Sequence, residues 1–64
     1  MDAFINEKAL AAFLAVSVAT VRAWRLRGRG PRFVKLGSAV RYRPEDIDTW
    51  IGSRPSGGGD GTLH

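Results

Sequence analysis

Hydrophobic residues recur at helical spacing near the start of the chain. Leu10, Phe13 and Leu14 stand at positions i, i+3 and i+4, which is the spacing of residues that share one face of a helix. Asn6 precedes this run and is a favourable N-cap residue, because its side chain can accept a hydrogen bond from a free backbone N–H. The pattern therefore predicts a first helix over Glu7–Leu14.

A second apolar stripe follows after only a very short connection. Val18, Val21 and Trp24 share one side of a helix predicted over residues 18 to about 27, with Ser17 as its N-cap and Gly28 just past its end. A connection this short forces two helices to cross sharply instead of running antiparallel. The pair is therefore predicted to form a helix-turn-helix.

Two short runs, residues 33–36 and 40–43, flank Gly37-Ser38-Ala39 and predict a β-hairpin. A two-residue turn would pair Leu36 with Ala39, whereas a three-residue loop would pair Leu36 with Val40. We favour the three-residue loop because hydrophobic pattern sets strand register, although such a loop often needs a left-handed last residue, here Ala39. That register would give the hairpin one apolar face and one basic face. The apolar face would hold Val34, Leu36, Val40 and Tyr42, and the other Phe33, Lys35, Arg41 and Arg43.

A third helix is predicted to begin at Pro44, which suits the first helical position, and to end at Gly52. Ile47, Trp50 and Ile51 form its apolar stripe. Beyond it the composition changes to Ser, Gly, Pro and Asp, which favours disorder. We expect one domain over residues 1–52 and a disordered glycine-rich tail over residues 53–64.

The composition of the 64 residues excludes several kinds of site. There is no cysteine, and the one histidine is His64, so neither a metal site nor a catalytic constellation is expected. No segment resembles a membrane span or a secretion signal. We expect a cytoplasmic protein that is not an enzyme, uses no cofactor, does not contact a membrane and senses no small-molecule ligand.

Charge is distributed unevenly along the chain, whose net charge is +4. No acidic residue lies between Lys8 and Pro44, whereas eight basic residues lie from Arg22 to Arg43. A polyanion partner explains such a segment, since neutralising phosphates releases counterions, and arginine suits phosphates and base edges. The alternative is a solvated surface that only keeps the protein soluble.

The second helix and the hairpin supply the candidate contacts to double-stranded DNA. Ala19 and Ala23 point directly away from the apolar side, where small residues let a helix approach a groove closely. The alternatives are an ordinary solvated helix face and a charged strand that prevents edge pairing. The candidate helix residues are Ser17, Ala19, Thr20, Arg22, Ala23 and Arg27. The candidate loop and wing residues are Arg29, Arg32, Lys35, Ser38, Arg41 and Arg43.

Several side chains near this face have other expected roles. Arg25 points toward the buried side, so we expect its stem along the core edge and its head in water. Leu26 points outward, where it either folds back under the following loop or marks a contact surface. Trp24, Trp50 and Tyr42 stand at core positions and are expected to pack there instead of stacking on bases.

Taken together, these segments resemble a known family. The run from Val16 to Trp24, then Gly28-Arg29-Gly30-Pro31, residues 34–37 and 40–42, and finally residues 46–51 resemble the small excisionase/AlpA-like group of the MerR-type winged helix-turn-helix superfamily. The resemblance covers residues 4 to 52 and implies a mostly α-helical fold whose small β-hairpin forms a wing.

The resemblance also implies a mode of action. The second helix would enter the major groove through Thr20, Arg22 and Ala23, while Lys35 and Arg41 on the wing would hold the flanking backbone or minor groove. Several copies would fill tandem sites cooperatively, with an integrase as a further partner, in a bacterial or phage setting. The sequence departs from the family at three positions, which are Ala15, Arg25 and Gly30.

Three functions follow as alternatives. An excisionase, or recombination directionality factor, would bind and bend attachment-site DNA to promote excision by an integrase. A transcriptional regulator would use the same fold at a promoter. A protein-interaction module would apply the basic face to an acidic partner.

Overall fold

The computed structural model describes residues 3–55, which form three helices and one hairpin. The order is α1 (Glu7–Leu14), α2 (Val18–Leu26), β1 (Val34–Leu36), β2 (Ala39–Arg41) and α3 (Pro44–Gly52). This mostly helical arrangement confirms the predicted winged helix-turn-helix. The disordered tail predicted over residues 53–64 begins too early, because the Ser53 and Arg54 N–H groups donate to carbonyls of α3. The rest of the predicted tail, from residue 56 onward, lies outside the described residues.

The first two helices begin where the sequence places their caps. Asn6 Oδ1 accepts a hydrogen bond from the Ala9 N–H at 2.7 Å, and Ser17 Oγ accepts one from the Thr20 N–H at 3.0 Å. Each bond satisfies a backbone donor that has no partner within the helix. The starts of α1 and α2 are therefore set by hydrogen bonds between residues three positions apart.

The connection between α1 and α2 turns the chain sharply. Ala15 adopts a left-handed conformation (φ 58°, ψ 41°), and the Val16 N–H donates to the Ala11 carbonyl at 3.0 Å. The two helices are bent by 114° at this point, within the range of helix-turn-helix units.

No single helix in residues 3–55 is long and apolar enough to cross a membrane. Only the bent pair taken together passes that test of length and composition.

The hairpin has the two-residue turn, so the predicted three-residue register is wrong. Leu36 pairs with Ala39, and Val34 pairs with Arg41. Gly37 has φ +67° while Ser38 does not have a positive φ, which is the arrangement of a type II′ turn. Glycine adopts that conformation at no steric cost, whereas the longer loop would have required it of Ala39.

The register also overturns the predicted division into an apolar and a basic face. Residues paired across strands point to the same side of a sheet, so Lys35 shares a side with Val40, which packs against the core. Arg41 shares the opposite side with Val34 and with Leu36, which is 51% exposed. Lys35 and Arg41 therefore leave the hairpin on different faces.

Five residues form the buried core, namely Leu10, Ala11, Val21, Tyr42 and Ile47. They come from the three helices and from Tyr42, which directly follows β2, so all three helices contribute to one cluster.

The predicted stripe of α1 is wrong at Phe13, which is 66% exposed. Ala11 is buried in its place, at 2% exposure. The spacing of large apolar residues does not anticipate that a small side chain takes the buried position. Phe13 instead lines a shallow pocket of ≈ 150 Å³ together with Ile5 and Ile47.

Two further contacts join the ends of the fold. The Trp24 and Trp50 rings lie 5.0 Å apart at 47°, a tilted packing favoured by aromatic quadrupoles. Both rings are half-buried, so their predicted packing role agrees with their positions. In addition, Ile5 and Tyr42 exchange two backbone hydrogen bonds, of 2.9 and 2.7 Å.

Candidate nucleic-acid interface

The outward side of α2 is a stripe of exposed residues at helical spacing. Ala19, Arg22 and Leu26 are exposed, and Ala23 is half-buried between them. Leu26 is 73% exposed, so it does not fold back under the following loop and instead marks an open surface. This side of α2 therefore combines small, apolar and basic side chains.

The first turn of α2 holds two hydroxyls against each other. The Ser17 and Thr20 side-chain oxygens are 2.8 Å apart, and Ser17 Oγ also accepts the Thr20 N–H. A hydroxyl has one donor and two acceptor sites, so the pair retains hydrogen-bonding capacity toward a further group. The contact also restricts the orientation of the Thr20 side chain, including its methyl group.

Arg22 is bound by a carboxylate from α1. Its Nε donates to Glu7 Oε2 at 3.1 Å, and its Nη2 donates to the same oxygen. These contacts lower the pKa of Glu7, chiefly through the hydrogen bond from Arg22, and raise the pKa of Arg22. The sequence interpretation missed this pair because it explained Glu7 only by the helix dipole. The sequence holds no periodic signal for this contact, because it joins residues 15 positions apart on two crossing helices.

Arg25 reaches the same carboxylate from the next turn of α2. Its Nη2 lies 3.6 Å from Glu7 Oε1, and its side chain is 22% exposed. Its Nε is buried and has no hydrogen-bond partner among residues 3–55. The expectation of a head held in water is therefore wrong, because the guanidinium turns toward Glu7. Burial raises the pKa of the neighbouring Tyr42 hydroxyl, and the charge of Arg25 opposes that shift.

The loop between α2 and β1 places two cations beside the helix end. Arg29 and Arg32 are exposed and line a shallow pocket of ≈ 270 Å³ with Gly28, Gly30, Pro31 and Phe33. Gly30 has φ +84°, and a Cβ there would meet the Trp24 side chain. The departure from the family pattern at Gly30 therefore fits close packing of this loop on α2.

The candidate residues of the wing differ in how free their side chains are. Lys35 and Ser38 are exposed. Arg41 is half-buried and its Nη1 donates to the Val40 carbonyl at 2.7 Å. Arg43 is 47% exposed and lies 4.0 Å from Asp46 Oδ2. Among the predicted cations of the wing, Lys35 is thus exposed, whereas Arg41 and Arg43 already have partners within the protein.

Four cations of the α2 end, the following loop and the wing lie apart from the acids of α3. Arg27, Arg29, Arg32 and Lys35 make no ion pair within the part of the chain that the structure describes. The acids Glu45, Asp46 and Asp48 lie on α3. That same part of the chain contains no group of side chains able to hold a metal ion. The outer side of α2, its following loop and the wing tip therefore offer cations to a polyanion.

The arrangement agrees with a known domain family. The family model described as "Helix-turn-helix domain" matches residues 4–55, which is most of the chain. The chain belongs to this helix-turn-helix domain family. The family includes excisionase-like and AlpA-like proteins. A comparison with curated proteins finds no match.

Membership indicates the kind of partner. Helix-turn-helix domains bind DNA in a sequence-specific manner through their second helix, and such families are typically not enzymatic. In this helix-turn-helix domain the second helix is α2, whose apolar side lies in the core and whose small and basic side is open. DNA is therefore the partner of this protein.

Proposed function

We propose that this protein is an excisionase, or recombination directionality factor, which binds and bends attachment-site DNA to promote excision by an integrase. The observation that supports it best is the exposed α2 stripe, flanked by Arg29, Arg32 and Lys35, which make no ion pair within residues 3–55. The resemblance of residues 4–52 to excisionase/AlpA-like proteins favours this function over other uses of the domain. On this proposal the protein acts in the cytoplasm, at bacterial or phage DNA.

In the proposed complex α2 lies in the major groove. Ala19 and Ala23 allow close approach, and the Thr20 hydroxyl and methyl can contact base edges. Arg22 can contact guanine, for which arginine is the commonest partner, or a phosphate. Ser17 and Arg27 lie at the two ends of the helix, within reach of the phosphates that border the groove.

The wing and the preceding loop are proposed to hold the flanking backbone. Arg29, Arg32 and Lys35 are exposed cations suited to phosphates, and Ser38 stands at the hairpin tip. Arg41 and Arg43 leave the opposite side of the hairpin from Lys35. The two sides would therefore contact different phosphates, and a tip placed in the minor groove would favour A·T-rich flanks.

Binding to selected duplexes tests the DNA-reading part of this proposal. A duplex enriched by in vitro selection from a randomised library should bind more tightly than its scrambled version, with affinities that fall as salt rises. Arg41→Ala should lower the affinity for both duplexes by the same factor, whereas Thr20→Ala or Arg22→Ala should change the ratio of the two affinities. Arg54→Ala is the matched control, because Arg54 lies over Trp50 on α3 and should leave both affinities unchanged. Equal affinity for both duplexes at every salt concentration would refute sequence-specific binding.

A reconstituted recombination reaction tests the excisionase role. In a reaction that contains a plasmid with two attachment sites and the integrase that acts on them, the DNA between the sites should be excised faster when the protein is added. Circularly permuted DNA fragments should report a bend, and titration should show cooperative filling of adjacent sites. A protein that binds a promoter and changes transcription without affecting excision is instead a regulator. That second candidate uses the same α2 and wing.

An interaction module is the remaining alternative. The same basic face would then bind an acidic protein segment. A competition assay between an acidic peptide and the selected duplex tests this alternative. If the protein acts on DNA, the duplex should displace a peptide that carries the same number of negative charges.

A further inference from the structure

The guanidinium of Arg22 is held in one orientation before any DNA is present. Glu7 Oε2 accepts from both Nε and Nη2 of Arg22. Glu7 is itself held from its other oxygen by Arg25, whose Nη2 lies 3.6 Å from Oε1. The Glu7 side chain is 21% exposed, compared with 55% for Arg22. A mostly covered carboxylate thus holds the inner edge of a guanidinium whose outer edge is open.

The geometry determines which donors of Arg22 remain available. An arginine has five N–H donors in a rigid plane, and the Glu7 contact engages two of them on the Nε–Nη2 edge. Three donors remain, on Nη1 and the outer side of Nη2. That outer edge can donate two parallel bonds to guanine O6 and N7, or to two phosphate oxygens.

We propose that Glu7 is a positioning residue for base recognition, which presents the outer edge of Arg22 to the DNA groove. This inference rests on the proposed base-reading role of Arg22. Two physical effects support it. An arginine that is already ordered loses less rotamer entropy on binding. The carboxylate also repels phosphates, so it reduces binding at sites where Arg22 finds no matching base.

Glu7→Gln is the test, because it keeps the size and one oxygen acceptor but removes the charge. The measured quantity is the ratio of affinities for the selected and the scrambled duplex. We expect Glu7→Gln to reduce this ratio about 3- to 10-fold, through tighter binding of the scrambled duplex and weaker binding of the selected one. Glu45→Gln is the control, since it removes an equal charge on α3 and should change both affinities by the same factor.

A double-mutant cycle separates positioning from a general effect on the fold. In an Arg22→Ala background, Glu7→Gln should leave the ratio unchanged within about 1.5-fold. The free protein gives a second readout, because the Arg22 Nε–H signal in a nitrogen-15 NMR spectrum should exchange slowly with water in the wild type and rapidly in Glu7→Gln.

Each contrary outcome identifies what fails. A ratio near one for the wild type would refute base reading and this inference with it. A wild-type preference that Glu7→Gln leaves intact would refute the positioning role alone. A loss of preference that persists in the Arg22→Ala background would show that Glu7 acts through the fold, which also overturns the proposal.

Discussion

Gly30 lies directly against the Trp24 side chain. A Cβ at Gly30 would stand 3.1 Å from Trp24 Cβ and 3.3 Å from Cε3. The Trp24 ring in turn packs on Trp50, so the loop, α2 and α3 meet in one stack. The space available to residue 30 therefore affects how the loop cations are placed beside α2.

Gly30→Ala should destabilise the protein by more than about 1 kcal/mol, because φ +84° strains an L side chain and the new methyl group crowds Trp24. Urea unfolding followed by tryptophan fluorescence measures the effect. Gly52→Ala is the control, since Gly52 is helical and its Cβ would meet nothing within 4 Å. It should stabilise by up to about 1 kcal/mol. Similar costs for both variants would contradict the packing of Gly30 on Trp24.

Ala15→Gly should stabilise the protein by about 0.5–1 kcal/mol. Ala15 is the one non-glycine residue with positive φ among residues 3–55. Relief of roughly 1–2 kcal/mol of left-handed strain exceeds the entropic cost of glycine. Ala12→Gly, on an exposed position inside α1, should instead destabilise by about 1 kcal/mol. Thermal or urea denaturation of the two variants should therefore move in opposite directions, and a loss in both would argue against this turn geometry.

The Glu7 contact should make stability depend on acid pH. The pKa of Glu7 is lowered in the folded protein, chiefly by the hydrogen bond from Arg22. The contribution is therefore fully present above the ordinary value of 4.5, and is lost as pH falls through the lower folded-state pKa. The difference in unfolding free energy between wild type and Glu7→Gln should be constant near neutral pH and should shrink on acidification. A difference independent of pH would refute the ion pair as its source.

Tyr42 should titrate later in the folded protein than in the unfolded chain. Burial raises its pKa above the ordinary 10.0, despite the opposing charge of Arg25. The contribution of the buried neutral phenol to the free energy of unfolding is thus fully present below pH 10. It is lost as pH rises through the folded-state pKa. The chain has one tyrosine, so tyrosinate absorbance reports this residue alone. Titration in concentrated urea provides the reference, and identical curves with and without urea would contradict the burial of Tyr42.

The parts of the fold that depend on residues close together in the sequence could be predicted from it. Asn6 and Ser17 were predicted as caps, and both accept the expected backbone hydrogen bonds. The helix ranges followed from apolar spacing next to these caps. The winged helix-turn-helix order then followed from the very short α1–α2 connection.

The parts that depend on tertiary geometry could not be read in this way. The hairpin register was decided by the backbone freedom of Gly37, not by the alternation of apolar residues that favoured the longer loop. Ala11 is buried and Phe13 is exposed because the face of α1 that meets the other elements cannot be read from the spacing within one helix. The Glu7–Arg22 contact likewise exists only once the two helices cross. The assignment of individual DNA-contacting residues stays a prediction.

The backbone pairing of Ile5 with Tyr42 has a consequence for how the molecule folds. The α1–α2 corner and the β1–β2 hairpin each join residues close in sequence, whereas this pairing closes the longest loop among the backbone hydrogen bonds of the described residues. Its closure costs more chain entropy than the closure of the local turns. The helix pair and the hairpin can therefore form early, and we expect the pairing of Ile5 with Tyr42 at the end of the wing to form later.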